Sequence, residues 1–180
     1  SSSPSLQRMM NLTDAERLPV MDFLRGGMGS TDGWKLYDVG HSSPVLVTQP
    51  SGDPAYMQHT YQTFIDANQN RAAMVYIGAN DGVLHGFDAA TGAEVWGYVP
   101  NNLLFKMKSQ RAVQPDGTVR YSHGFFVDGN VVAHDVFDTS TNAWRTVLFV
   151  GQALGQGLAG DNYYFALDVT DPRNPRPLWE

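Results

Sequence analysis

Five histidines, His41, His59, His85, His123 and His134, are the side chains of this chain best suited to metal binding or proton transfer. No two of them have the His-x-x-x-His spacing that would aim both at a zinc ion from one helix face. His85 and His123 fall on or beside β-type runs, where a histidine packs or hydrogen-bonds. Asp128, Asp135 and Asp138 bring three carboxylates close together, enough for a weak cation site. Asp128 lies in a turn and Asp138 precedes a polar one, so turn formation is the better account of the group. Gly151, Gly155, Gly157 and Gly160 make a glycine-rich stretch. A phosphate loop needs a helix N-terminus and a Lys-Ser/Thr after the glycines. Residues 163–167 read as strand and no lysine follows, so the stretch reads as an exposed loop suited to contacts. No serine sits in a Gly-x-Ser-x-Gly elbow, and there is no cysteine for thiolate chemistry or a disulfide framework. Lys106, Lys108 and Arg111 form a small basic cluster that reads as a solvated helix face. No residue is assigned a catalytic, cofactor-binding or metal role, and the chain is not read as an enzyme.

Composition narrows the class. Eighteen acids against 12 Lys+Arg give a formal charge of −6 in 180 residues. A nucleic-acid binder needs the opposite sign along a stripe. No run of apolar residues is long enough for a membrane span. Charged residues are 17%, below the globular norm of about 25%, while aromatics reach 12%. With 18 Gly and 10 Pro, this points to an all-β domain of short strands. Ser1-Ser2-Ser3-Pro4-Ser5 is no signal peptide and no initiator Met precedes it, which fits a piece of a longer, exported chain.

The elements that must position these side chains fall into four stretches. Residues 1–40 are a helical and loop lead-in. Thr13-Asp14-Ala15-Glu16 is a capping box, and Leu18, Met21, Phe23 and Leu24 give an apolar stripe. Pro19 makes the helix over 13–25 short or kinked, with a stop at Gly26-Gly27 and loop over 28–36. Residues 41–99 hold four β-type runs, at 44–48, 73–78, 83–88 and 94–99. Asn80-Asp81-Gly82 and Thr91-Gly92 turn the chain between them. Residues 100–122 read as a helical connector, with Asn101 or Asn102 as cap and its cations near the end. Residues 123–180 hold four more runs, at 131–136, 145–151, 163–169 and 177–179.

The two series align. Met74-Val75-Tyr76-Ile77-Gly78 matches Val147-Leu148-Phe149-Val150-Gly151. Gly86-Phe87-Asp88 matches Ala166-Leu167-Asp168, and Val95-Trp96 matches Leu178-Trp179. A repeat of four strands ending on a tryptophan predicts two antiparallel blades of a β-propeller. Each blade buries a face only against neighbours, so the ring is expected to continue beyond residue 180. Asp88 is placed to accept turn N–H groups, and Trp96 to pack between blades with its indole N–H seeking a carbonyl.

The segment from Val75 to Trp96 resembles the repeat of quinoprotein-type propellers. A longer ordered set resembles the C-terminal propeller of the PilY/PilC-type proteins of type IV pilus biogenesis. The set comprises Phe23-Leu24-Arg25-Gly26, Asp38-Val39-Gly40-His41-Ser42-Ser43-Pro44-Val45, the blade segment through Tyr98-Val99-Pro100, Phe126-Val127-Asp128-Gly129, Trp144-Arg145-Thr146-Val147-Leu148, and Tyr164-Phe165-Ala166-Leu167-Asp168-Val169-Thr170-Asp171-Pro172. The resemblance implies an exported pilus-assembly and pilus-tip adhesion factor, at the cell surface, outer membrane or periplasm. It implies binding to minor pilins of the tip complex and to host or abiotic surfaces, with no nucleic acid and no membrane span. It also implies calcium regulation through an Asp-x-Asn-x-Asp loop. That spacing is absent from these residues, so no cofactor is expected within this segment and calcium belongs to another part of the full-length protein. Members often carry Leu-Arg-Gly-Asp where this chain has Leu24-Arg25-Gly26-Gly27; an integrin reading then lacks its carboxylate, and Gly26-Gly27 reads as a helix end. The alternatives are a quinoprotein (PQQ-type) dehydrogenase fragment and a non-enzymatic scaffold for envelope assembly.

Overall fold

A computed structural model describes residues 4–24, 36–57, 60–113, 115–121, 123–152 and 163–180. Strands β1 (Val45–Val47), β2 (Met74–Gly78), β3 (Leu84–Asp88) and β4 (Glu94–Tyr98) form one antiparallel meander in chain order. A two-stranded hairpin of β5 (Arg111–Val113) and β6 (Val119–Tyr121) follows. Strands β7 (Val131–Asp138), β8 (Ala143–Gly151), β9 (Tyr164–Asp168) and β10 (Arg176–Trp179) form a second meander. These are the two blades that the repeat predicts: β2 and β8, β3 and β9, and β4 and β10 hold equivalent places.

Turn chemistry places the hairpins. Gly82 and Gly92 take left-handed φ values of 87° and 71°. The Asp88 carboxylate accepts the N–H groups of Ala90 and Thr91 at 3.0 and 3.1 Å. Asp138 does the same work before β8, accepting from the Ser140 N–H at 2.9 Å, and Asn142 takes the left-handed position there.

The lead-in holds α1 (Pro4–Met9) and α2 (Asp14–Leu24), and α2 runs through Pro19. Its buried residues are Val20 and Phe23, whereas Leu18, expected in the apolar stripe, is 69% exposed. Leu18 and Val20 are two positions apart, which puts them on opposite sides of a helix with 3.6 residues per turn. The capping box is half formed: Glu16 accepts from both the N–H and the hydroxyl of Thr13, at 2.9 and 2.8 Å. The expected stop at Gly26-Gly27, most of the loop after it, and the glycine-rich segment from residue 153 on lie outside the described residues.

Between β1 and β2 the chain forms α3 (Pro54–Met57) and α4 (Tyr61–Asn68), where the sequence pattern predicts nothing. The connector is helical only to residue 110: a 3-10 turn (Asn101–Leu103) leads into α5 (Leu104–Gln110), and the hairpin follows. Arg111 therefore opens a strand instead of closing a helix. Neither Asn101 nor Asn102 caps with its side chain. The Asn101 N–H instead donates to the Glu180 carboxylate at 2.8 Å, and Asn102 exchanges amide hydrogen bonds with Gln152 at 3.0 Å. One core joins everything. Met10 and Val20 of the lead-in, Tyr76 and Leu84 of the first blade, Met107 of α5, and Leu148 and Phe165 of the second blade belong to one buried cluster.

Candidate functional site

The seam between the blades carries several long-range polar contacts. Trp96 of β4 lies over Gly86 of β3, where a Cβ would meet its ring at 2.6 Å, and beside Tyr76 of β2 at 5.3 Å between centroids. From there its Nε1–H donates to the Pro172 carbonyl, in the turn before β10, at 2.9 Å. The Asp88 carboxylate accepts from Arg173 of the same turn at 2.7 Å. Tyr98 packs on Phe165 at 5.6 Å. Gly78 lies so close to the Val127 carbonyl that a Cβ would come within 2.3 Å.

At the inner edge of this seam is a pocket of ≈ 310 Å³ between β1, β7 and the α3–α4 insertion. Arg71 crosses it, donating from Nε to the Thr48 carbonyl at 3.0 Å and from a terminal nitrogen to Thr146 Oγ1 at 2.6 Å. The Thr146 hydroxyl in turn donates a hydrogen bond to Asp135 at 2.6 Å, and the Tyr61 hydroxyl donates to the other Asp135 oxygen at 2.6 Å. Burial first, and the Asp135 carboxylate second, push the Tyr61 hydroxyl up to about 12. Burial also pulls the Arg71 guanidinium down, against the attraction of Asp135. The chemistry is that of a clamp: donor, relay and acceptor hold one another, and they join the insertion to both inner strands. His134 lines the same pocket from β7.

His85 of β3 is 2% exposed and donates from both ring nitrogens, to Asp81 at 2.9 Å and to Glu94 at 2.7 Å. Burial works against its charge, but the two carboxylates outweigh it and raise its pKa. Both ring nitrogens face carboxylates, so the arrangement ties the β2–β3 turn to β4. His41 and His123 form a second pairing of histidines with acids. His41 donates to the fully buried Asp128 at 2.6 Å, and His123 to Asp38 at 2.7 Å. Asn80 locks the crossing, giving its Nδ2–H to Asp38 at 2.8 Å and accepting from the Phe126 N–H at 3.3 Å. The side-chain bonds to Asn80 and His123 hold the Asp38 carboxyl below its ordinary range, against its partial desolvation.

The three acids grouped by sequence thus separate. Asp138 is a turn acid, as expected. Asp128 reaches back to His41, and Asp135 faces Tyr61 and Thr146. Among the described residues, no three His, Cys, Asp or Glu side chains converge on a place for a metal. His59 lies outside them. The basic cluster is more than a solvated face: Lys108 pairs with Glu16 at 2.9 Å, and Lys106 lies over the Phe126 ring at 5.8 Å. The Thr13 N–H first, then Lys108, hold the Glu16 carboxyl down at about 2. Arg71, Tyr61 and Thr146 carry no local signal; the bonds of Arg71 to Thr48 and Thr146 and of Tyr61 to Asp135 span 23 to 75 residues of chain.

Comparison with known proteins agrees with this geometry. A family model described as the PilY1 beta-propeller domain matches residues 36–180. A type IV pilus biogenesis factor PilY1 homolog of Xylella fastidiosa is 40% identical over 148 residues, covering 79% of this chain and 11% of that protein. The type IV pilus biogenesis factor PilY1 of Pseudomonas aeruginosa strain PAK is 36% identical over 200 residues, covering 100% of this chain and 16% of that protein. The crystal structure of the Pseudomonas aeruginosa PilY1 C-terminal domain superposes with a TM-score of 0.52 at 36% identity, over 74% of this chain and 24% of that one. The chain spans 11% and 16% of the length of those two curated relatives. No helix among the described residues is long and apolar enough to cross a membrane. On the extent of the family match and the identity to its relatives, this chain belongs to the PilY1 beta-propeller family.

Proposed function

We propose that these residues are part of the propeller of an exported type IV pilus biogenesis factor, which acts at the pilus tip by binding other proteins rather than by turnover. The observation that carries the reading is the family match over residues 36–180, joined to relatives whose names are those of pilus biogenesis factors. The use of the ionisable groups supports it. His85, Arg71, Asp135 and Asp128 hold strands, turns and blades to one another, which suits a rigid display scaffold. Minor pilins of the tip complex are the first partners, and host or abiotic surfaces the second. Calcium acts on the whole protein through a segment other than this one.

The test is genetic. Removing the codons for residues 36–180 from the chromosomal gene of the native organism should abolish surface pili and twitching, and restoring them in trans should return both. Normal piliation together with normal twitching in the deletion strain would overturn the reading.

A further inference from the structure

Arg71 is a half-buried cation without a counter-ion. Its Nε–H and one terminal nitrogen donate to the Thr48 carbonyl, and the other terminal nitrogen donates to Thr146 Oγ1. All three bonds end on neutral oxygens, and among the described residues no carboxylate pairs with it. Asp135 is the acid whose charge it feels, but the Thr146 hydroxyl stands between them and bonds to both. Taking a cation out of water is costly unless an anion meets it there. At Arg71 the loss of hydration outweighs the attraction of Asp135. A guanidinium has five N–H bonds, so one is left over on each terminal nitrogen.

This side chain lines the pocket of ≈ 310 Å³ at the inner edge of the seam. The volume lies at the small end of ligand pockets, with room for one small molecule. The walls come from the loop after β1, the α3–α4 insertion and the second blade, so the pocket exists only in the assembled seam. Val47, Pro50 and Met57 supply apolar surface, and Gln49 and Ser51 add an amide and a hydroxyl. Successive strand residues alternate in face, so His134 belongs to the side of β7 opposite Asp135.

We propose that this pocket binds a small hydroxylated monocarboxylate, a hydroxy acid or sugar acid, whose carboxylate takes the two remaining N–H bonds of Arg71. Guanidinium and carboxylate match in plane and spacing, and their paired bonds are among the strong ones. One negative charge suffices, because one cation is uncompensated. An amino acid fits less well. Its ammonium needs an acceptor, and the Thr48 carbonyl and both Asp135 oxygens are already engaged. Hydroxyl groups instead meet Gln49 and Ser51, whose side chains both donate and accept. The pilus reading neither requires this site nor predicts it.

Isothermal titration calorimetry on the whole protein tests this, with D-glucuronate, D-gluconate and L-lactate as probes. D-Glucose, which lacks the carboxylate, and glycine, which carries an ammonium, are the comparators. At least one probe should bind saturably, and both comparators at least about tenfold more weakly. Arg71→Gln should weaken the probe by about tenfold or more. Arg71 also holds Thr48 and Thr146, so a second variant is needed that touches none of its bonds. Ser51→Trp narrows the pocket from an exposed position on its wall; it should abolish binding and leave the thermal midpoint unchanged. The proposal is overturned if none of the three probes binds, or if glucose or glycine binds as tightly. Binding that survives in Arg71→Gln or Ser51→Trp overturns it as well.

Discussion

His85 donates to a carboxylate from each ring nitrogen, so its removal leaves Asp81 and Glu94 facing one another without a cation. Breaking a buried ion pair from one side is costly, and His85→Gln should destabilise the propeller by about 3 kcal/mol in a urea titration. Its raised pKa also sets a pH dependence with a definite sign. Stability from this charge is complete below the ordinary histidine value of 6.5 and is lost as pH rises through the raised one. From pH 6.5 upward the gap between the native protein and His85→Gln should narrow; a gap that widens would refute the assignment. Asp168 has the opposite sign. Burial opposes its charge, but Thr170 and Arg145 outweigh it and lower its pKa. Its contribution is present above the ordinary 3.8 and is lost as pH falls through the lowered value. Arg145→Met removes one of the groups that keep that value low. The midpoint of acid unfolding should therefore move to higher pH, read by tryptophan fluorescence. These partners were not legible in sequence: Asp81-Gly82 announces a turn, and only strand pairing brings Glu94 under His85.

At the scale of elements, turn residues and hydrophobic alternation located the eight blade strands, because each strand is short, periodic and bounded by its own turn chemistry. Glycines show where that reading stops. Gly92 is a conformational glycine, with φ of 71° and open space where a Cβ would stand. Gly78 is a steric one, pressed against the Val127 carbonyl. Gly92→Ala should cost about 1 kcal/mol through backbone strain alone. Gly78→Ala has to move backbone and should cost about 3 kcal/mol. The order of the two midpoints in thermal unfolding checks this; equal losses would mean the contact between Gly78 and Val127 is loose. Helix α4 escaped prediction because its buried face rests on Tyr61 and Phe64 alone, too few apolar positions for a helical period to show. The hairpin after α5 escaped because its strands are three residues each.

Over the whole molecule, the fastenings of the seam between blades include the Trp96 indole, the Arg173–Asp88 ion pair and the Tyr98–Phe165 contact, beside the bonds of Arg71 and Tyr61 to Thr146 and Asp135. Trp96→Phe keeps the ring over Gly86 but leaves the Pro172 carbonyl without its donor, and should cost about 1 kcal/mol. Trp96→Ala also opens a cavity and should cost about 4 kcal/mol. Hydrogen exchange distinguishes the two. In Trp96→Ala, protection should fall in β9 and β10 as well as in β4, because the blades no longer open as one unit. Loss confined to β4 would show that the seam carries little of the coupling.

By itself the sequence determined the class, the two repeats, the strand order within each repeat and the family. All of these rest on local patterning: period-two alternation, turn residues at set offsets, and a tryptophan closing each unit. Even the role of Trp96 was legible, since a large amphipathic ring at the end of a repeat has to pack on the next unit and find an acceptor. Tertiary structure alone decided which acceptor it finds, that Asp128 faces His41 instead of its own turn, and that Arg71, Tyr61, Asp135 and Thr146 meet at the inner edge of the seam. Apart from the Thr146–Asp135 bond within the second blade, those contacts join residues 23 to 87 positions apart, and no local pattern encodes which side chain a second blade will present once its face is turned toward the first.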